Sequence, residues 1–211
     1  VNHCFTTIVP YRTTPAIQAR IDAQRETIMA ATVAVLTEHG YRGCSVAAVA
    51  TRAGVATGTV YKHFASKAEL VGEVFDQVVS GEVAAVSAAS SVPEDPARRV
   101  VAVVETFAYR ALKVPRLAYV LLAEPVDTVV DAKRLAFRRA YQDILVDIVT
   151  DGVRGGALPP QNARITAAAL VGALGDVMVG PLSAAQPAPD TVPELVAFVL
   201  RALGGSRERD A

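Results

Sequence analysis

Apolar residues along this chain recur at intervals of three and four, and strict alternation of apolar and polar positions is rare. That spacing predicts an all-α protein of about nine helices, punctuated by proline and glycine, with no internal repeat. The first helix is expected from residue 16 or 20 to residue 39, with Ile28, Ala31 and Val35 inward and Gly40 as its stop. A short helix follows Ser45: Val46, Val49, Ala50 and Ala53 fall on one face. Gly54 then suits the left-handed turn that ends it, with Val55 filling the angle to the next helix. In that next helix Val60 and Phe64 are four apart and face inward. A long helix beyond residue 67 carries Leu70, Val74, Val78 and Val79 and is expected to fade in the Ser/Ala-rich stretch 87–91, before a turn at Pro93 and Pro96. Further helices carry Val100, Val104, Phe107 and Ala111; Leu117, Leu121 and Leu122; and, over about 127–152, Phe137, Tyr141, Ile144 and Ile148. The last two are expected at about 161–180 and 191–203.

Two caps sharpen the region around residue 60. The Ser45 hydroxyl can accept a free backbone N–H at the start of its helix. Ser66 and Glu69 have the S-x-x-E spacing of a capping box. Between them, Thr57, Gly58, Tyr61 and Lys62 share the outward face of the Val60/Phe64 helix, flanked by Thr59 and His63. Hydroxyls, a ring, a cation and a glycine on one short helix suit phosphate oxygens and base edges of double-stranded DNA. Lys67 beside a capped helix start can hold one phosphate, and Arg42, just before the Ser45 helix, is a further phosphate candidate. Arg12 and Arg20 are candidates for a groove-reaching arm. The position before Thr57 is Ala56, so either Thr57 caps the helix itself or the cap is missing.

Charge supports this picture by its placement. Lys+Arg and Asp+Glu balance at 21 each, yet residues 1–72 hold seven basic and four acidic side chains, leaving an acidic remainder. A basic first third on a neutral chain suits a local DNA footprint rather than general polyanion binding.

Residues 25–75 closely resemble the DNA-binding domain of the tetracycline-repressor (TetR) family. Ala31, Gly40-Tyr41, Ser45, Val49-Ala50, Ala53-Gly54-Val55, Gly58-Thr59, Tyr61, His63-Phe64, Lys67 and Leu70 carry the resemblance. It implies a homodimer that places the Thr57–His63 helix of each protomer in a major groove, with a small ligand in the helical body moving the two heads apart. It also implies that Thr59, Tyr61, His63 and Lys67 contact phosphate while Thr57 and Lys62 read bases. Ala56 departs from the family's usual Ser or Thr.

The chain is accordingly divided into an arm (1–15), a helix-turn-helix domain (16–66), a ligand-binding and dimerisation domain (67–204) and a polar tail (205–211). Small residues in 161–180 (Ala167, Ala168, Ala169, Gly172, Ala173 and Gly175) allow close helix approach. Val192, Leu195, Val196, Val199, Leu200 and Leu203 make a wide apolar face on 191–203. The two helices are expected to build a four-helix dimer seam. Phe107, Tyr109, Phe137, Tyr141 and Met178 are the candidate lining of a pocket for a hydrophobic or amphipathic effector.

Enzyme chemistry has no foothold. His3, His39 and His63 lack partners at metal-ligand spacing, and neither a G-x-S-x-G elbow nor a G-x-x-x-x-G-K-[ST] loop is present. No catalytic residue, metal or cofactor is expected. Cys4 and Cys44 fit a reducing compartment, with Cys44 read as a small half-buried residue. No uncharged run reaches about 18 residues, and the first residues lack a signal-peptide pattern; a cytoplasmic protein without membrane partners is expected. The preferred function is a repressor released from a palindromic operator by its effector. The alternatives are an activator or architectural DNA binder without an effector and, further off, a helical enzyme or a partner-binding helical module without DNA.

Overall fold

The computed structural model describes residues 14–92, 95–184 and 189–204; most of the arm (with His3, Cys4 and Arg12), Pro93 and the 205–211 tail lie outside the described residues. Among the described residues there are nine α-helices and no strand. They are α1 (Pro15–Gly43), α2 (Val46–Ala53), α3 (Thr57–His63), α4 (Lys67–Ser90), α5 (Pro96–Lys113), α6 (Pro115–Leu122), α7 (Thr128–Arg154), α8 (Ala163–Ser183) and α9 (Thr191–Ala202).

Local chemistry explains most boundaries. Thr14 caps α1 by accepting the Ile17 N–H, and Pro15 sits at the start, where a missing N–H costs nothing. Gly40 interrupts α1 where a stop is expected: its backbone is non-helical and the chain kinks there. At φ 68° it lies in the left-handed region, and Tyr41–Gly43 form a short continuation closed by the Cys44 N–H on the Gly40 and Tyr41 carbonyls. Ser45 accepts the Ala48 N–H, and Gly54 ends α2 at φ 67°. Ser66 accepts the Glu69 N–H at 3.1 Å; the returning Glu69 carboxylate takes the N–H of Ala65 at 2.7 Å, one residue before the usual partner in a capping box. α4 does not fade at 87–91. It continues through Ser90 because Val86 and Ser90 are buried and Arg99 of α5 donates to the Ser90 carbonyl at 2.8 Å. Packing against α5 overrides the weak local propensity there.

Two apolar clusters form the core. The first gathers Ile28, Val35, Leu36, Val49, Val60, Phe64, Leu70, Val74 and Phe75, and extends into the body through Leu117, Val120, Leu121 and Val130. The α1–α3 head is therefore packed directly on α4, α6 and the start of α7. The second cluster fills the space among α5, α7, α8 and α9. Cys44 is 2 % exposed rather than half-buried, and burial pushes its thiol up from the usual range.

The last two helices divide differently from expectation. Val192, Leu195, Val199 and Leu203 turn into their own chain's core, as does Ala167. Spacing marks them as one face but not whose core that face joins. The open face consists instead of Ile165 (68 % exposed), Val177 (44 %) and Phe198 (43 %), with Ala168, Ala169 and Gly172 exposed between them. Nothing lies within 4 Å of where a Cβ on Gly172 would sit. α8 has mean hydropathy 1.7 over its most apolar window and is long enough to cross a bilayer by length and composition, but 39 % of that window is buried inside the protein.

Candidate functional site

The outward face of α3 is built by what holds its inward face. Val60 and Phe64 are each 1 % exposed, and Arg25 of α1 lies over the Phe64 ring, 4.4 Å from its centroid, while pairing with Glu73 of α4. With those two residues anchored, Thr57, Gly58, Tyr61 and Lys62 face solvent, and Thr59 and His63 sit half-buried on the flanks. Tyr61 is 53 % exposed, so its ring is not packed on α1. Gly58 has no neighbour within 4 Å of its missing Cβ, which leaves room for another surface to approach the backbone. Ala56 is the N-cap of α3 and makes no side-chain hydrogen bond. The cap is missing, Thr57 is the first helical residue, and its hydroxyl is not engaged in capping.

The flanking residues are more tied down. His63 Nε2 shares a 3.0 Å hydrogen bond with Gln24 Oε1, a partner that spacing alone does not reveal. The Ser45 hydroxyl is occupied by its own cap, and Arg42 is exposed. Lys67 is placed differently from a free phosphate ligand: its ammonium donates to the Tyr41 carbonyl at 2.7 Å and stands 3.8 Å above the Tyr41 ring. Two of its three N–H donors remain, so the group reaches outward only from this seat. Arg52 adds nothing to the basic face, because Glu38 holds it in a two-bond fork at 2.7 Å each, which keeps the Glu38 carboxyl below its ordinary range.

Behind the head lies a junction that sequence reasoning missed. Glu124, in the loop between α6 and α7, is 6 % exposed. Its carboxylate accepts the Tyr41 N–H at 3.1 Å and the Arg42 N–H at 3.3 Å, the two backbone groups freed by the kink at Gly40. Tyr41 also donates its hydroxyl to Asp127. A Cβ on Gly40 would come within 2.6 Å of the Arg116 guanidinium and 2.8 Å of the Glu124 carboxylate. Arg134 of α7 fixes the loop by donating to the carbonyls of Val120 (3.1 Å), Leu121 (3.0 Å) and Glu124 (2.8 Å).

The same α6 lines a cavity of about 90 Å³. Leu117, Ala118, Leu121 and Leu122 of α6 face Val78 and Glu82 of α4, Phe107, Arg110 and Ala111 of α5, and Phe137 and Tyr141 of α7. A second cavity of about 20 Å³ shares Phe107, Leu122, Phe137 and Tyr141 and runs on toward Val171 and Leu174 of α8. Of the candidate lining residues, Phe107, Phe137 and Tyr141 are on the wall of both cavities. Tyr109 is not: it is 52 % exposed and lines neither cavity, because two residues along a helix from Phe107 is about 200° around it. Met178 is fully buried in the α5–α9 core and lines neither cavity. Among the described residues, the polar groups at the larger cavity are Tyr141 and the Arg110–Glu82 pair, held by two hydrogen bonds of 2.6 and 2.8 Å. Among the described residues no group of three His, Cys, Asp or Glu side chains could hold a metal ion.

Residues 28–74 match the sequence model of the bacterial regulatory proteins of the tetR family. Over 151 residues the chain is 30 % identical to the HTH-type transcriptional activator FasR of Mycolicibacterium smegmatis, covering 71 % of this chain and 68 % of that protein. Its fold is similar to that of the fatty acid degradation regulator FadR from Bacillus halodurans (TM-score 0.73, 23 % identity, 88 % of this chain and 97 % of that one). It is also similar to FadR from Bacillus subtilis solved in complex with stearoyl-CoA (TM-score 0.74, 22 % identity, 86 % and 99 %).

Proposed function

This chain belongs to the TetR family of bacterial regulatory proteins, and from that premise we propose that it is a cytoplasmic homodimer whose affinity for a palindromic DNA operator is set by a small apolar-chain effector. The observation that carries this reading is the arrangement of α6. One side of that helix lines the cavity, while the loop at its end holds the head at Tyr41 and Arg42 through Glu124. A ligand that displaces α6 therefore pulls on the kink at Gly40 and reorients α1–α3.

In this reading residues 16–66 bind DNA and residues 67–204 sense and pair. Thr57 and Lys62 meet base edges; Thr59, Tyr61, His63 and Arg42 meet phosphates. Lys67 meets phosphate from its seat on Tyr41. Ser45 presents a helix start to the backbone. Homodimerisation runs through the open faces of α8 and α9 around Gly172, Val177 and Phe198, and sets two α3 helices on successive major grooves. No catalytic role is assigned. The cavity's apolar lining supports an effector with a hydrocarbon portion, in keeping with the stearoyl-CoA bound by the Bacillus subtilis FadR.

The sign of regulation has two readings. Release from the operator by the effector makes the protein a repressor; FasR, described as an activator, favours the second reading, in which the effector acts on a DNA-bound activator. Fluorescence anisotropy on a duplex enriched by the purified protein, titrated with stearoyl-CoA and shorter acyl thioesters, tests both. Loss of DNA supports repression, tighter binding supports activation, and indifference to every thioester overturns the effector reading.

A further inference from the structure

The hydroxyl of Tyr141 is the one buried side-chain polar atom among the described residues without a hydrogen-bond partner. The residue is 3 % exposed and lies where the two cavities meet. Its ring is packed edge-on by Phe107 (centroids 5.6 Å apart, planes at 75°) and Phe137 (4.6 Å, 71°), which fixes the side chain in place. Burial, with the nearby Glu82 charge, pushes its pKa up, so the group keeps its proton and offers a donor. A buried donor with no protein partner, on a residue that lines an otherwise apolar cavity, can be matched by an acceptor brought by a ligand.

The surroundings select which acceptor. Arg110 is engaged by Glu82 in a two-bond fork, so among the described residues no free cation lines the larger cavity. Arg138, on the rim of the smaller one, is exposed to solvent. A buried carboxylate would meet Glu82 with no free positive charge to offset its desolvation. A neutral carbonyl meets the donor without that cost.

The geometry points to Tyr141 as the residue that selects for an uncharged carbonyl, an ester or thioester carried on an apolar chain, over both a free carboxylate and a carbonyl-free chain of equal length. This rests on the reading of the cavity as the effector site. The larger cavity is small, about 90 Å³, so a short acyl chain is the fitting probe.

Three probes test it: S-octanoyl-N-acetylcysteamine, its carbonyl-free thioether S-octyl-N-acetylcysteamine, and octanoate, each titrated calorimetrically into the whole protein and into Tyr141→Phe. The wild type should bind the thioester about tenfold more tightly than the thioether, and octanoate more weakly than the thioester. Tyr141→Phe should bind the thioether unchanged and lose the thioester's advantage. Without ligand, Tyr141→Phe should melt at or above the wild-type temperature, because it deletes an unpaired buried hydroxyl; that also shows the variant to be folded. Binding of all three probes with equal affinity would overturn the assignment of Tyr141 while leaving the cavity as a binding site. Retention of the thioester preference by Tyr141→Phe would do the same. If none of the three probes binds, the effector-site reading is overturned and this inference with it.

Discussion

Replacing Glu124 by alanine probes the joint between sensor and head. The side chain is 6 % exposed and accepts two backbone N–H groups, those of Tyr41 and Arg42. A buried donor left unpaired costs about 1–3 kcal/mol. Tyr41 is itself buried, so its N–H bears that cost in full; Arg42 is exposed, and water can replace most of its bond. The sum is a loss of about 2 kcal/mol, or roughly a 30-fold shift toward the unfolded state by RT arithmetic. The loop itself should stay in place, since Arg134 holds its carbonyls independently of the Glu124 side chain. Glu124→Gln keeps one carbonyl acceptor and should lose only about 1 kcal/mol. Urea unfolding gives the stability change, and amide hydrogen exchange reports the Tyr41 N–H directly. A Glu124→Ala variant within about 0.5 kcal/mol of wild type, with Tyr41 equally protected from exchange, would refute the assignment of this carboxylate as the clasp on the head.

Three further outcomes follow from single features. Ala56→Ser supplies the missing cap of α3 and should stabilise the protein by about 1 kcal/mol in urea unfolding; no gain would mean that the α3 start is already satisfied by other groups. Gly172 has open space where a Cβ would sit, so Gly172→Arg should leave the protomer folded by circular dichroism yet yield monomers in sedimentation; persistent dimers would place the pairing surface elsewhere. Cys44, buried and with its thiol pushed up, should react with iodoacetamide at pH 8 far more slowly in the native protein than in urea; equal rates would show the core around α1 and α2 to be open.

The head was readable because its signals are local. Ser45, Gly54 and Ser66 each act within four residues of themselves, and caps and left-handed turns need no distant partner to form. The helical body was readable as helices but not as surfaces. Val192, Leu195 and Val199 share a face by spacing, yet whether that face meets its own core or a second copy depends on where α5 lies. Tyr109 and Met178 lie off these two cavities for the same reason: periodicity gives a direction on the wheel, and the neighbour in that direction is set by tertiary packing. Glu124 and the Lys67–Tyr41 contact were invisible because each joins residues far apart in the chain, with no repeat or spacing to mark the meeting.

The most direct test of the account is selection of bound duplexes from a random DNA pool by the purified protein, first as isolated and then after denaturation and refolding to strip any carried ligand. The account predicts an enriched palindrome with half-sites one or more helical turns apart. It also predicts that the enrichment collapses in a Thr57→Ala/Lys62→Ala variant that still dimerises. No enrichment from the stripped wild-type protein would contradict the assignment of α3 as a reader of DNA.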